Sequence, residues 1–327
     1  MSKREKRVFS MFLLCASVFL FVSPYFILPR IYAGTANWID TAPPNATILE
    51  LWEIDTFEGG SASRAKFLER RAYAFQKETF SAYILVRQLS LTQAKIMLSS
   101  GTKPDMISFG IGAGELVKPF CFELETDFSL RADLMQCGLV DGLLAVPWCV
   151  GGYCLCAGCD YEEPSLAKSS SIGVGLASNV PMLAIENSAL KAGYTQFEAY
   201  EAFLRGDFEV LLGTQRDFYR LNRKVESGVT GPVKFEFLEG YTDLEQVISV
   251  CTQENKTVCE AFIQFLLAPV SQSKLCDIGL FSVLNIPIYD NDYKDFETSM
   301  LKPKKTLNVF TTQTNIDSMQ QGMGNGD

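Results

Sequence analysis

Residues 8–28 form an almost uninterrupted apolar run, broken only by Ser10, Ser17, Ser23 and Pro24, and preceded by Lys3, Arg4, Lys6 and Arg7. A basic flank followed by such a run is the pattern of a secretory signal. It also reaches the roughly 20 residues a helix needs to cross a bilayer, with the basic end left in the cytoplasm. The rest of the chain is therefore expected outside the cytoplasm. Gly34, Thr35 and Ala36 are small enough for a signal peptidase, but Pro24 and Pro29 set them apart from the apolar centre. Phe12, Leu13 and Leu14 are too bulky to make a lipid-attachment box at Cys15. Residues 1–36 thus read as a signal sequence or membrane anchor, with retention preferred over cleavage, and 37–46 as a polar linker with Pro43 and Pro44.

Beyond the linker the period of the apolar positions alternates between strand and helix. Residues 48–54 read as a strand, 62–78 as an amphipathic helix through Ala65, Leu68, Ala72 and Phe75, and 83–89 as a second strand. Ser90 with Gln93 makes a capping box for a helix that ends at Gly101, and 105–109 is a third strand. This rhythm predicts a parallel sheet with right-handed crossovers. Residues 143–148 are strand-like and run on through Gly151 and Gly152 into 153–156. A strand near 180–186, a capped helix from Thr195 and Glu198 to Gly206, a strand at 208–212, a helix at 215–225 and a strand at 233–238 follow. Thr257 with Glu260 suggests a third capping box, opening a helix to Leu267, and 271–277 is helical up to Gly279. The polar, Gly-rich end, 316–327, reads as a disordered tail.

Composition narrows the function classes. Net charge is −9 and there is no histidine in 327 residues. The N-terminal 36 residues are net basic, so the remainder is more acidic still, which disfavours nucleic acid and anionic membrane surfaces. Lack of histidine removes the commonest metal ligand and the commonest general base near neutral pH. Paired carboxylates such as Glu53 and Asp55 with Asp217 suit glycoside hydrolysis, but with 38 acidic residues some pair always looks suitable. No phosphate loop, nucleophile elbow or zinc helix motif is present. No catalytic residue, cofactor or metal is expected.

Four loops at strand ends combine glycine with hydrogen-bonding groups: 52–60, 104–110, 147–153 and 213–217. The first and third add Trp52 and Trp148. An aromatic face with carboxylates, amides or arginine around it is the mixture that sugars require. Satisfied turn residues and core tryptophans account for the same loops, so composition leaves both readings open.

Taken in order, the opening strand with Trp52 and the Gly59-Gly60 loop, RAKFL (64–68), KPDMISFG (103–110), residues 146–153, LGTQRD (212–217), YTDL (241–244) and DIGLFSV (277–283) resemble extracellular solute-binding proteins of the maltose- and oligosaccharide-binding type. The resemblance implies a type II periplasmic-binding-protein-like α/β fold, with two lobes that close on a ligand at a hinge. The lobes it implies are 46–148 with 241–283, and 149–240 with 284–315, the second shortened between Tyr153 and Ala199. Implied ligand contacts are Trp52, Asp55, Ser108, Gly110, Trp148, Tyr153, Arg216 and Asp217. The implied ligand is a carbohydrate, and the implied partners are the permease subunits of an ATP-binding-cassette importer. The alternative is a membrane-anchored sensor or envelope interaction protein that keeps the fold but has lost transport.

Ten cysteines remain to be placed, four of them, Cys149, Cys154, Cys156 and Cys159, within eleven residues. Four thiolates suit zinc or an iron–sulfur cluster, but only Cys156 and Cys159 have knuckle spacing. Cys154 and Cys156 share a strand face, where thiols pack as small apolar groups. Idle thiols are the preferred reading, with a disulfide or a metal site as alternatives.

Overall fold

The first strand, β1 (Thr47–Ile54), puts Leu49 and Leu51 on one face and Trp52 and Ile54 on the other, all four fully buried. Both faces of its sheet must therefore be covered. The structure, a computed structural model, describes residues 47–79, 82–160, 163–185 and 189–324. The readings made on residues 1–46 lie outside these. Among the described residues no helix is long and apolar enough to cross a membrane.

After β1 come α1 (Arg64–Thr79), β2 (Ala82–Leu89), α2 (Leu91–Ser99), β3 (Met106–Phe109), β4 (Val146–Val150) and β5 (Tyr153–Gly158). Next are β6 (Ile172–Gly175), β7 (Leu190–Tyr194), α3 (Gln196–Arg205), β8 (Val210–Thr214), α4 (Gln215–Glu226) and β9 (Val233–Phe237). The chain closes with β10 (Glu245–Val250), α5 (Lys256–Leu267), α6 (Lys294–Leu301) and α7 (Gln313–Gly324).

These strands form two α/β lobes, each around one five-stranded sheet, ordered β2-β1-β3-β10-β4 and β7-β6-β8-β5-β9. The first sheet is mixed, not wholly parallel. β1 and β3 run parallel, but β10 is inserted antiparallel between β3 and β4. In the second, β6 is parallel to β7 and β8, while β5 is antiparallel to β8 and β9. The stretch between Tyr153 and Ala199 that reads as trimmed holds β6 and β7, so the second sheet has as many strands as the first.

The expected continuous strand through Gly151 and Gly152 is instead two strands in different lobes. Gly151 N–H donates to the Leu244 carbonyl at 2.7 Å, and Gly152 N–H to Gln215 Oε1 at 3.1 Å. A Cβ on Gly152 would sit 2.4 Å from Met300 Sδ and 2.7 Å from Phe296. Two glycines let this crossing segment lie against α6 and α4 without side chains of its own.

Three further expectations change. Residues 181–184 form a 3₁₀ turn, Pro181–Ala184, where a strand was expected. Thr257 and Glu260 make no capping box: α5 starts after Asn255, and Glu260 instead accepts from Glu125 N at 3.0 Å and from Thr126 Oγ1. The expected disordered tail is helical as far as Gly324, with Ile316 buried beside Phe310 and Val309. Gln320 Nε2 donates to the Ala177 and Asn179 carbonyls at 3.0 and 2.6 Å, which fastens α7 to the second lobe. Residues 325–327 lie outside the described residues.

Candidate functional site: the interlobe cleft

Arg64 determines the shape of the loop that follows β1. It is the first residue of α1 and is 3 % exposed. Its Nε donates to Glu53 Oε1 at 2.9 Å, and its Nη2 to Asp55 Oδ1 and to the Phe57 carbonyl, both at 3.1 Å. The guanidinium also lies 4.4 Å from the centroid of the Phe57 ring. Burial pushes the Glu53 carboxyl up, opposed by the Arg64 charge. Gly60 is pressed against the turn at Gly279: a Cβ there would lie 2.1 Å from the Gly279 carbonyl oxygen. The loop 55–63 is thus braced at both ends by buried contacts, and its exposed edge is free to face the second lobe.

Opposite it stands the N-terminus of α4. Thr214 caps the helix, its hydroxyl accepting from Arg216 N at 3.2 Å, while Asp217 accepts in return from Thr214 N at 2.9 Å. This capping box fixes where Gln215, Arg216 and Arg220 point. Arg216 Nη1 donates to the Gly60 carbonyl at 2.7 Å, and Gln215 Nε2 to the Glu58 carbonyl at 3.2 Å. Arg220 makes a forked pair with the Glu58 carboxylate. A cleft of about 550 Å³ lies between loop 55–63 on one side and Ala177, Gln196 and Arg216 on the other. Gln196 Nε2, on its wall, is buried without a hydrogen-bond partner.

The eight residues singled out from sequence divide sharply. Asp55 and Arg216 line the cleft. Asp217 is buried beneath it as the capping-box partner of Thr214, and desolvation raises its carboxyl to about 6. Trp52 and Trp148 are fully buried and offer no face to a ligand, which corrects the stacking role expected of them. Trp148 stacks on Phe67 at 5.6 Å and donates to Ser108 Oγ at 3.0 Å, so Ser108 is spent inside the first lobe. Gly110 is a packing glycine, where a Cβ would meet Thr56 Oγ1 at 2.4 Å. Tyr153 is buried where the lobes join, its hydroxyl donating to Asp243 and accepting from Asn179 Nδ2 at 2.8 Å. Sequence reasoning passed over Glu58, Gln196 and Gln215. The first and last lay inside quoted loops, and Gln196 follows a recognised cap at Thr195.

The nine cysteines in the described residues are free thiols. Cys149, Cys154 and Cys156 are buried and Cys159 is exposed, with the Cys154 and Cys156 sulfurs 3.7 Å apart. No three His, Cys, Asp or Glu side chains converge as metal ligands among the described residues.

No protein-family model matches this sequence, and no curated protein resembles it closely enough in sequence to be recognised. Solved structures do share its fold. The sugar-binding protein MalE from Xanthomonas citri superposes with a TM-score of 0.61 at 13 % identity, over 86 % of this chain and 93 % of that one. The GacH receptor of Streptomyces glaucescens, solved free and with acarbose, gives 0.59 at 10 % identity, over 86 % and 92 %. The iron- and citrate-bound protein IdiA (FutA) of Trichodesmium gives 0.61 at 14 %, over 85 % and 99 %. The chain therefore has the two-lobed fold of maltose-type sugar-binding proteins, a fold shared with an iron binder.

Proposed function

We propose that this protein is an extracytoplasmic solute-binding protein that captures a small carbohydrate between its lobes and delivers it to the permease of an ATP-binding-cassette importer. The observation that carries the proposal is the polar cleft of about 550 Å³ between loop 55–63 and the N-terminal ends of α3 and α4. Its volume falls within the usual range for small-ligand sites, roughly 300–1,000 Å³. Its lining of Asp55, Gln196, Arg216 and main-chain groups of Gly59 to Ser61 provides both donors and acceptors, as hydroxyls need. The carbohydrate reading is preferred over a metal cargo because the chain has no histidine and no convergent acidic or thiol cluster among the described residues. With both tryptophans buried, binding rests on hydrogen bonds, which favours a short, fully polar sugar over a long glucan. Residues 1–36 would hold the protein beside its permease.

Thermal-shift and calorimetric titration against mono-, di- and trisaccharides tests the proposal. At least one should raise Tm by several degrees at ligand concentrations near 100 Kd. A flat response to every sugar would remove the carbohydrate reading.

One observation favours a second reading, an anchored sensor or envelope interaction protein. Arg216, Arg220 and Gln215 already spend donors on Gly60 and Glu58 across the cleft. A protein whose lobes grip each other has less need of cargo. Recovery of permease subunits with the tethered protein would count against this alternative.

A further inference from the structure

Cys121 follows the short turn Lys118–Phe120 in extended conformation, with φ −79° and ψ 134°. Its neighbour Phe122 forms an antiparallel bridge with Val250, the last residue of β10, and donates to the Val250 carbonyl at 2.9 Å. One step outward in that register Cys121 stands opposite Cys251. A pair next to a hydrogen-bonded antiparallel pair has its Cα atoms about 4.5 Å apart, within the roughly 4.4–6.8 Å that a disulfide spans. Directly opposed residues of an antiparallel pair project to the same face of the sheet, so the two side chains lie side by side, with the Cys121 thiol donating to the Val117 carbonyl at 3.4 Å. Cys121 is partly exposed, whereas Cys251 is 1 % exposed.

We infer that Cys121 and Cys251 form a redox-active pair, a modification site that closes to a disulfide by exchange with an external low-molecular-weight disulfide or a dithiol oxidase. The Cys121 thiolate attacks one sulfur of the external disulfide, forming a mixed disulfide and releasing one thiolate. Cys251 then gives up its proton and attacks the Cys121 sulfur, which expels the second thiolate. The protein loses two electrons and two protons, and the external disulfide is reduced to two thiols. The roles follow from the environment. Interaction with the neighbouring Cys251, helped by Ser249, holds the Cys121 thiol below its usual value against burial. The same contact and burial push the Cys251 thiol well up, so it acts second. Cys154 and Cys156 are also close, at 3.7 Å, but lie on one strand with both side chains sealed from any external partner.

The position gives the bond a consequence. Between Cys121 and Cys251 the chain forms β4 to β10, so the bond would tie off the whole second sheet at its root in the first lobe. Long loops gain most from closure in the chain-entropy view.

The test is oxidation of the full chain with oxidised glutathione, followed by alkylation and peptide mapping. The expected result is loss of two hydrogens and one linked species joining the Cys121 and Cys251 peptides, with Tm about 5 °C or more above that of the reduced protein. Cys121→Ser should abolish both the link and the Tm difference. Cys251→Ser should leave Cys121 as a stable glutathione adduct, and since that serine replaces a buried thiol, the Cys121→Ser result stands by itself if the second variant does not fold. Full alkylation of both cysteines after oxidation, or a link from Cys121 to any other cysteine, would overturn the inference.

Discussion

Arg220 and Glu58 meet in a forked ion pair, Nη1 to Oε2 at 2.8 Å and Nη2 to Oε1 at 2.7 Å, across the cleft between the two lobes. Both side chains are largely but not wholly shielded, so the pair contributes on the order of 1 kcal/mol and weakens as salt rises. Glu58→Gln should lower stability by about that amount in dilute buffer and hardly at all in molar salt. It should also raise the radius of gyration measured by small-angle scattering. An unchanged radius would mean that Arg216 and Gln215 hold the lobes without the pair.

Arg64 has a larger role because Glu53 beneath it is fully buried. Replacing Arg64 with methionine would leave the Glu53 carboxylate unpaired and loop 55–63 without its central donor. Loss of one partner from a buried pair costs about 3–5 kcal/mol, which chemical denaturation would register. In the double variant that also carries Glu53→Gln, part of this loss should return.

Asp217 supplies a pH dependence. Desolvation lifts its carboxyl to about 6, Glu58 adds to the rise, and the Thr214 N–H and Arg220 oppose it. A carboxyl raised by folding favours the folded state while it stays protonated. Its contribution is therefore complete below about pH 4 and is lost as pH climbs through about 6. Against Asp217→Asn, wild type should lose about 1–3 kcal/mol of stability between those values and run parallel above them. Parallel Tm curves over the whole interval would show that the capping bonds hold the carboxylate ionised in the folded state.

The buried tryptophans can be checked by fluorescence. In a Trp38→Phe background, emission comes only from Trp52 and Trp148, both with no exposed surface. Iodide should barely quench it, and sugars that raise Tm should leave it unshifted. Strong quenching would place at least one indole at the cleft after all.

Gly60 offers a steric test of the loop brace. Gly60→Ala sets a Cβ against two backbone carbonyls, 2.1 and 2.2 Å away, which cannot turn aside as a side chain does. A cost of about 1–3 kcal/mol is expected, together with weaker binding of any cleft ligand. Gly231→Ala, with nothing within 4 Å, is the control and should stay within about 0.5 kcal/mol of wild type.

What could be read from sequence was whatever is coded locally. The Ser90–Gln93 and Thr195–Glu198 boxes and the left-handed Gly206 all formed where their spacing placed them. The Thr257–Glu260 box failed because Glu260 found partners at Glu125 and Thr126, far along the chain. β10 escaped notice because Glu245, Gln246 and Ser249 make it read as polar, although all six of its residues are buried between two other strands. The cleft residues Asp55 and Arg216 directly follow strand ends, Asp55 on the loop after β1 and Arg216 in the first turn of α4 after β8, so their position follows from the strands. The tryptophans misled because the mixture of an aromatic with glycine and polar groups is the same in a binding loop and in a packed strand end.

The insertion of β10 between β3 and β4 also orders events in time. The first sheet cannot be completed until residue 250 is in place, whereas β5 to β9 are contiguous and complete by residue 237. Pairings between distant segments form slowly because loop closure precedes their reward. The later lobe along the chain should thus be the earlier one to fold, and pulse-labelled hydrogen exchange during refolding should protect β5 and β8 amides before those of β3 and β10. The lobe that begins first waits, half-paired, for a strand that arrives last.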